Sequence, residues 1–287
     1  MKGFRIKKEL EVEDLLPVNI STIQSQVIIN FLNEEEANKN FHYDIVTTPL
    51  RQGYGVLIDV KNLRKDFGNK TVLHDITFQI RDGESIGILG GNGAGKTTMV
   101  EILAGLNKKT SGEIDYLFEY KKSYLEEIGI QFQDSSYPPG LSVKEIIKFV
   151  LEIYGTKIES SELNALIRIF GINEYYTKHV SSLSGGQQQR LNALLALIHK
   201  PKVLFLDEIS TGLDITIRTK IKKFIKEYAR ENGMTLVLVS HDMEELEFLV
   251  DRIIIIDKGR VVANIDKSEI LEKHDSLTNF IAPYINH

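Results

Sequence analysis

The sequence contains no cysteine and no long apolar run. Without cysteine, disulfide bonds and thiolate metal sites are excluded, which fits a reducing compartment. Stretches such as Val27–Ile29 and Ile253–Ile256 are strand-sized, whereas a membrane-spanning helix needs roughly 18 to 20 apolar residues. The N-terminal residues mix both charge signs and lack the apolar segment of a secretory signal. We therefore expect a cytoplasmic chain without a membrane span.

A surplus of positive charge is also missing, since the net charge is −5 and the pI is near 5.9. Binding to nucleic acid or to anionic membranes depends on clustered cations, so we expect no nucleic-acid partner. The basic pairs Lys108–Lys109, Lys121–Lys122 and Lys222–Lys223 are interpreted as solvated loop or helix faces. With 287 residues, of which 42% are hydrophobic, the chain can bury the core of one large domain or two small ones.

Residues 1–55 differ in pattern from the rest and are interpreted as an N-terminal extension of unassigned role. They carry an acidic run at Glu34–Glu36 and few strand signals. Apolar residues at helical spacing favour an amphipathic helix in this segment; they are Ile20, Ile23, Val27 and Phe31. From Val56 onward two strand patterns flank a turn at residues 67–70, which predicts an antiparallel pair.

The second half of the chain is predicted to alternate helices and strands. Residues 141–177 have helical spacing and little strand signal, which indicates a helical lobe inserted at about 134–180. The predicted elements that follow are a helix at 186–199, a strand at 203–206, a helix at 215–231, a strand at 235–239, a helix at 242–249 and a strand at 253–256. Such alternation predicts a mainly parallel sheet covered by helices.

A glycine-rich segment, Gly90–Thr97, fits the pattern G-x-x-x-x-G-K-[ST] between a predicted strand at 85–89 and a predicted helix at 96–106. Glycines let successive backbone N–H groups point at phosphates, and the helix N-terminus adds positive potential. Lys96 would reach the β and γ phosphates, and Thr97 would ligate Mg²⁺. A flexible turn is the alternative, but the strand-loop-helix context disfavours it. The candidate ATP-binding residues are Gly90, Gly91, Asn92, Gly93, Ala94, Gly95, Lys96, Thr97 and Thr98.

An apolar strand ends in the acidic pair Asp207–Glu208. Because ligands gather at the carboxyl ends of parallel strands, this pair is a natural partner for a phosphate loop. Asp207 is the candidate Mg²⁺ ligand, and Glu208 is the candidate that orients or deprotonates the attacking water. Alone the motif is weak, because many buried strands end in an acid.

The segment 183–190, LSGGQQQR, resembles the signature of the ATP-binding cassette (ABC) ATPases. Taken by itself, it is a helix start with exposed N–H groups and a hydroxyl, and so either an anion site or a simple helix cap. The resemblance implies that two subunits meet head to tail, so that Lys96 of one and Ser184 of the other enclose a shared ATP. The candidate contacts of the second subunit are Ser184, Gly185, Gly186 and Gln187.

Other positions can be matched to the family singly. Phe67 resembles the aromatic that stacks on adenine, although a hydrophobe at a hairpin tip is the alternative. Gln133 resembles the catalytic glutamine that touches Mg²⁺ and joins the core to the helical lobe, with Gln131 less favoured. Asp214 resembles the acid that braces the opposing phosphate loop, or caps the next helix, or both. His241 resembles the histidine that contacts the γ-phosphate and positions Glu208.

The resemblance spans about residues 56–266 and leaves 267–287 as a C-terminal tail. It implies an α/β fold, namely a P-loop NTPase core of the ABC ATPase type with an antiparallel β subdomain and an inserted α-helical subdomain. One departure is Ile209, which stands where the family usually has proline after the acidic pair. No catalytic group is lost by this change.

The resemblance implies an ATPase subunit of an ABC transporter that uses ATP and Mg²⁺ and drives a separately encoded membrane permease. It would act as a homodimer or as a heterodimer with a second ABC ATPase, held at the inner face of the membrane by the permease. The segments Gln189–Leu195, Leu141–Glu145 and Tyr154–Gly155 look like those of drug and antibiotic exporters. A soluble ABC ATPase that acts on a ribosome, DNA or a cell-envelope complex is the alternative. A cassette that binds ATP without hydrolysis conflicts with the complete catalytic set.

Overall fold

The computed structural model describes residues 25, 26, 28, 31, 55–131, 137, 138, 140–209, 213–274 and 276–285. The strands are β1 Val56–Phe67, β2 Lys70–Arg81, β3 Ser85–Leu89, β4 Ser111–Tyr116, β5 Ile128–Gln131, β6 Val203–Asp207, β7 Thr235–Val239, β8 Arg252–Asp257 and β9 Arg260–Asp266. The α-helices are α1 Lys96–Leu103, α2 Val143–Tyr154, α3 Ser160–Ile169, α4 Gly185–Leu197, α5 Ile215–Asn232, α6 Met243–Leu249, α7 Lys267–Lys273 and α8 Leu277–Ile285. Single 3₁₀ turns cover Tyr124–Glu127, Ile172–Tyr175 and Val180–Ser182.

The predicted antiparallel pair is confirmed as a three-stranded sheet in the order β2-β1-β4. β1 and β2 pair from Val56 opposite Arg81 to Phe67 opposite Lys70. Gly68 closes the turn with φ +56°, a conformation that glycine adopts without strain. β4 adds to the other edge of β1, although its sequence did not predict a strand.

The predicted parallel sheet is also confirmed. Its six strands lie in the order β5-β6-β7-β3-β8-β9, parallel except for β9, which runs antiparallel to β8. β3, β6 and β7 are buried along almost their whole length. Their uninterrupted apolar sequences are typical of strands covered on both faces.

Two apolar clusters lie on opposite faces of this sheet, as alternate residues of β6 show. Leu204 and Leu206 pack into the cluster formed with helices α4 and α5 and the helical lobe. Val203 and Phe205 pack into the cluster formed with α1 and the antiparallel sheet. The six-stranded sheet therefore lies between the helical lobe and the antiparallel sheet, and it positions the phosphate loop relative to both.

The helical lobe starts with a well-defined cap on α2. The Ser142 hydroxyl accepts from the Glu145 N–H, and the Glu145 carboxylate accepts from the Ser142 N–H, which is a capping box. Gly155 ends α2 in the left-handed conformation with φ +62°. The predicted helical character of residues 141–177 is thus present, as α2, α3 and a 3₁₀ turn.

The N-terminal extension contacts the core where the structure describes it. Residues 26, 28 and 31 are helical, and Ile28 and Phe31 belong to the apolar cluster that includes α4, α5 and the helical lobe. The Phe31 ring meets the Phe224 ring of α5 edge-on, with centroids 5.1 Å apart. Of the apolar residues predicted to form an amphipathic helix, Phe31 is buried. Ile20, Ile23 and Val27 lie outside the described residues.

Helix ends differ from the prediction by one to three residues. The helix predicted over 96–106 ends at Leu103, because Gly105 takes φ +76° and turns the chain. The segment 267–287 holds α7 and α8, whose residues Ile270, Leu277 and Ile281 are buried. None of the described helices has both the length and the apolarity needed to cross a membrane.

Candidate nucleotide-binding site

The phosphate loop, residues 90–97, leaves the buried end of β3 and runs into α1. Gly90 has φ +152°, and a Cβ there would lie 2.1 Å from the Ile256 carbonyl oxygen. Gly95 has φ +106°, and a Cβ there would lie 2.7 Å from a Leu73 methyl group. Only glycine fits these positions, so the turn is specified by close backbone approach as well as by chain reversal.

The N-terminus of α1 offers donors to an anion. Gly95 caps it without any side-chain hydrogen bond, so the first N–H groups of the helix have no side-chain acceptor. The Lys96 ammonium is buried and donates to the carbonyl oxygens of Gly90 at 2.8 Å and Gly91 at 3.0 Å. Burial lowers the pKa of Lys96, while the charges of Asp207 and Glu208 act in the opposite direction.

The two acids lie at the same edge of the sheet as the phosphate loop. Asp207 is the last residue of β6 and pairs with Val239 of β7, which in turn lies beside β3. Burial raises the pKa of the Asp207 carboxyl to about 6; the Glu208 charge adds to the rise and Lys96 opposes it. A carboxylate that is costly to ionise at its site gains from a nearby cation.

Glu208 has an unusual backbone. Its φ of +50° lies in the left-handed region, which costs a non-glycine residue about 1–3 kcal/mol and persists only where the surroundings enforce it. The Glu208 N–H donates to the Val239 carbonyl oxygen at 2.9 Å. The Glu208 carbonyl oxygen accepts from the Gln189 side chain, also at 2.9 Å. Ile209, the residue in place of the family's proline, is 1% exposed.

His241 and Phe67 are both accessible. His241 is exposed and lies two residues beyond the end of β7, between the buried Ser240 and the α6 cap Asp242. Phe67, at the end of β1, is 48% exposed, and the Lys65 ammonium lies 4.5 Å from its ring centroid. An exposed ring of this kind can serve as a stacking surface.

The signature segment forms a second exposed helix start. Ser184 caps α4 by accepting from the Gln187 N–H at 3.3 Å, and the Gln187 side chain accepts from the Ser184 N–H at 3.0 Å. Ser184 and Gly185 are exposed. The Gln187 side-chain oxygen is thus engaged in the helix cap, while its amide NH₂, the Ser184 hydroxyl and the glycine N–H groups can still act as donors.

Two predicted site residues, Asp214 and Gln133, lie in or beside stretches that the structure does not describe. Asp214 is exposed and caps α5 through a 3.0 Å bond from the Ile217 N–H, while residues 210–212 before it lie outside the described residues. Gln133 also lies outside them. Gln131, at the end of β5, is 1% exposed, and its amide has no hydrogen-bond partner among the described residues.

The structure therefore brings Lys96, Asp207 and Glu208 within electrostatic reach of one another, at one edge of the sheet. One contact of this site was not predicted, the bond from Gln189 to Glu208. No local signal distinguished Gln189, because it stands in the polar run Gln187–Arg190.

The groups at this site are of the kinds that bind Mg-ATP. Uncapped N–H groups and a lysine suit phosphates, and the Asp207 carboxylate and Thr97 hydroxyl are oxygen ligands of the kind that Mg²⁺ prefers. Among the described residues no group of three or more His, Asp or Glu side chains forms a metal cage. Mg²⁺ ordinarily keeps water and phosphate oxygens as ligands, so such a cage is not required.

A phosphate loop between the buried strand β3 and a helix, with an acidic pair at the end of β6, two strands away in the same sheet, is typical of a P-loop nucleoside triphosphatase. Comparison with known proteins narrows this class. The family described as "ABC transporter" matches residues 73–211, and a family described as "AAA domain, putative AbiEii toxin, Type IV TA system" matches residues 179–247.

Similar curated proteins come from several bacteria. The linearmycin resistance ATP-binding protein LnrL of Bacillus subtilis is 34% identical over 76% of this chain and 71% of its own length. The spermidine/putrescine import ATP-binding protein PotA of Spiroplasma citri is 34% identical over 77% of this chain and 65% of its own length. The chain thus spans about two thirds of the length of these relatives.

Solved structures that are similar to this chain are also ATP-binding subunits or cassettes. One titled as the ATP-binding subunit of an ABC transporter has a TM-score of 0.72 over 79% of this chain at 23% identity, which supports the fold. A dimeric ATP-binding cassette in a post-hydrolysis state with ADP and Pi has a TM-score of 0.63 over 73% of this chain at 27% identity. This chain belongs to the ABC transporter ATP-binding family, whose members bind ATP with Mg²⁺ and hydrolyse it.

Proposed function

We propose that this chain hydrolyses ATP as one of two cassettes that close head to tail and drive a separate membrane permease. The observation that carries the proposal is the position of Lys96. Its ammonium is held inside the phosphate loop by the Gly90 and Gly91 carbonyl oxygens, and it interacts electrostatically with both Asp207 and Glu208. A phosphate-binding cation and two carboxylates at one edge of the sheet are the groups that ATP hydrolysis requires.

Each residue has one role in this reaction. Lys96 and the N–H groups of residues 93–97 hold the phosphate tail and neutralise part of its charge. Thr97 and Asp207, with Gln133, would hold Mg²⁺, which when bound withdraws charge from the phosphate oxygens. Glu208 orients the attacking water and accepts its proton, and ATP and water become ADP and phosphate.

The adenine and γ-phosphate ends of the nucleotide fall to two further residues. Phe67 presents an exposed ring on which adenine stacks. His241 follows β7, the strand that also fixes the Glu208 backbone, and would contact the γ-phosphate.

The exposed α4 N-terminus supports a two-copy site. Ser184 and Gly185 present a hydroxyl and unpaired helix N–H groups to solvent, which suits the far side of a nucleotide bound by a second copy. Asp214, exposed on the same chain, would brace the opposing phosphate loop. The dimeric relative captured with ADP and Pi supports the same assembly.

An apolar face of the helical lobe supports a protein partner. Phe149 and Ile153 on α2 are 51% and 61% exposed, and they lie four residues apart on one helix face. The next positions, Val150 and Tyr154, line a cavity of about 190 Å³ together with His199. Exposed apolar side chains beside a cavity are typical of a protein interface, and the permease is the proposed occupant.

We also propose export as the direction of transport. The relative LnrL is named for resistance to linearmycin, and the segments Leu141–Glu145 and Tyr154–Gly155 resemble those of exporter ATPases. The PotA relatives, at similar identity, are named for import. Deletion of the gene should sensitise cells to antibiotics; unchanged sensitivity together with a loss of nutrient uptake would contradict export.

Replacement of Glu208 tests the enzymatic part. Glu208→Gln keeps the side-chain shape but removes the base, so phosphate release should fall about 100-fold or more while ATP now traps a dimer visible by size exclusion. Glu113→Gln, an exposed substitution on β4, is the matched control and should behave as the unmodified chain. Unchanged turnover by Glu208→Gln would refute the role assigned to Glu208.

Shared sites have their own test. A Ser184→Arg chain and a Lys96→Ala chain are each expected to be inactive alone. Mixed together, they form some dimers in which both lesions fall on one site and the other site is intact, so ATPase activity should partly return. Equal inactivity in every mixture would contradict head-to-tail sharing. Co-purification with ribosomes or DNA, and with no membrane protein, would favour the soluble alternative.

A further inference from the structure

Gln189 joins the signature helix to the catalytic acid of the same chain. It lies on the second turn of α4, five residues after the Ser184 cap, and is only 6% exposed. Its side-chain amide donates to the backbone carbonyl oxygen of Glu208 at 2.9 Å. A buried amide that reaches another element's main chain restricts both partners, because neither finds water as an alternative.

The peptide that Gln189 holds is the one with unfavourable geometry. Glu208 has φ +50°, and it leaves the sheet directly after Asp207, the last residue of β6. Its N–H is fixed by the Val239 carbonyl oxygen at 2.9 Å. The Gln189 bond fixes the carbonyl side. The direction of the Glu208 side chain follows from these two bonds, since the backbone conformation sets where the Cβ points.

Gln189 has a close counterpart on the same helix whose hydrogen bond is made with a different residue. Asn192, 4% exposed, is a second buried amide of α4 and accepts from the Tyr137 hydroxyl. The neighbouring residues Leu191 and Leu194 are fully buried and apolar. A pair of buried amides in one helix therefore allows the contact with Glu208 to be separated from the general cost of burying an amide.

We propose that Gln189 is a positioning residue for ATP hydrolysis: it holds the Glu208 peptide in its left-handed conformation so that the carboxylate faces the attacking water. The inference rests on the proposed role of Glu208 as the base. It adds a route between nucleotide sites, because the helix that carries Gln189 begins at Ser184. Any displacement of α4 when Ser184 contacts a nucleotide on the opposing copy reaches Glu208 through one rigid turn and one hydrogen bond.

The test replaces the donor without changing the shape. Gln189→Glu is isosteric but offers a carboxylate where the Glu208 carbonyl needs a donor. We expect kcat to fall about 10- to 100-fold with little change in the KM for ATP, because the peptide of the base is released while the phosphate loop is intact. Asn192→Asp is the matched control: it introduces the same amide-to-acid change on the same helix and should keep kcat within about threefold of the unmodified chain.

Thermal unfolding of both variants separates positioning from folding. If Gln189→Glu and Asn192→Asp lose similar stability but only the former loses kcat, the contact with Glu208 is responsible. If Gln189→Glu retains the kcat of Asn192→Asp, or if KM rises in step with the loss of kcat, the inference is overturned. Should Gln189→Glu fail to fold, Gln189→Met removes the donor at similar volume and carries the same expectation.

Glu208→Gln, measured alongside, keeps the two proposals distinct. Full turnover in Glu208→Gln removes the proposed base, and the positioning role falls with it. Loss of turnover in Glu208→Gln with normal turnover in Gln189→Glu overturns only the role of Gln189. In the double variant, the residual rate of Glu208→Gln should not fall further on adding Gln189→Glu, since a positioning residue has no effect once its base is absent. A further drop would indicate an independent effect.

Discussion

Phe31→Ala should destabilise the whole domain, although residue 31 lies in an extension that precedes the first strand. The Phe31 side chain is 3% exposed and meets Phe224 edge-on at 5.1 Å. The Lys223 ammonium lies 5.6 Å from the same ring centroid. Truncation of a buried phenylalanine costs about 3–5 kcal/mol, of which an aromatic pair supplies about 0.5–1.5 kcal/mol.

The expected shift follows from the lower end of that range. A loss of about 3 kcal/mol in a domain of this size corresponds to a fall in Tm of about 6 to 12 °C. The segment is also held by polar contacts, because the Glu231 carboxylate accepts from the Ser25 hydroxyl and from the Gln26 N–H, the latter at 2.6 Å. If these bonds failed together with the ring contact, proteases would cut the segment before residue 55 more quickly.

The assay is thermal unfolding of the purified chain followed by limited proteolysis. Phe149→Ala is the control, because Phe149 is 51% exposed and its loss should change stability by less than about 0.5 kcal/mol. The packing of the extension against α5 would be refuted if the Tm of Phe31→Ala lay within about 1 °C of the control's Tm.

Three further predictions concern single side chains. Gln131→Leu should raise the free energy of unfolding by about 1–2 kcal/mol, because it removes a buried amide without a described partner; a lower urea midpoint would instead reveal a partner in residues outside the description. Gly90→Ala should cost about 1–3 kcal/mol, since its Cβ would meet the Ile256 carbonyl oxygen, whereas Gly91→Ala, with open space around its Cβ, should not; equal losses in urea denaturation would contradict this. The pKa of Asp207 is raised to about 6 in the nucleotide-free protein. Protonation of this carboxyl therefore stabilises the folded state relative to the unfolded state, and this stabilisation is lost as the pH rises through about 4 to 6. Asp207→Asn should flatten this part of the stability profile, and an unchanged slope would contradict the burial of the carboxyl.

The elements predicted correctly from sequence are those with strong local signals. The phosphate loop, the β1–β2 pair and the buried strands β3, β6 and β7 follow from glycine chemistry and from apolar runs. β4, β5 and β9 are short or half-exposed, so their composition resembles that of loops. Their pairing partners are distant in sequence, and no local pattern could identify them.

The candidate site shows the same division between local and tertiary information. The motifs around Lys96, Glu208 and Ser184 were sufficient to predict which residues supply the charges and donors of the candidate site. The left-handed φ of Glu208 and its bond from Gln189 arise only when α4 packs beside the end of β6. The docking of Phe31 on Phe224 likewise depends on contacts between residues far apart in the chain.

Equilibrium binding of Mg-ATP to Lys96→Ala and Glu208→Gln, measured side by side, tests most directly whether this edge of the sheet is the nucleotide site. The Lys96 ammonium is the charged donor of the phosphate loop, and loss of such a bond costs about 1.5–3 kcal/mol, or about a 10- to 100-fold rise in Kd. Glu208→Gln should bind Mg-ATP as tightly as the unmodified chain or more tightly, without turnover. Unaltered affinity in Lys96→Ala, or lost affinity in Glu208→Gln, would contradict the account.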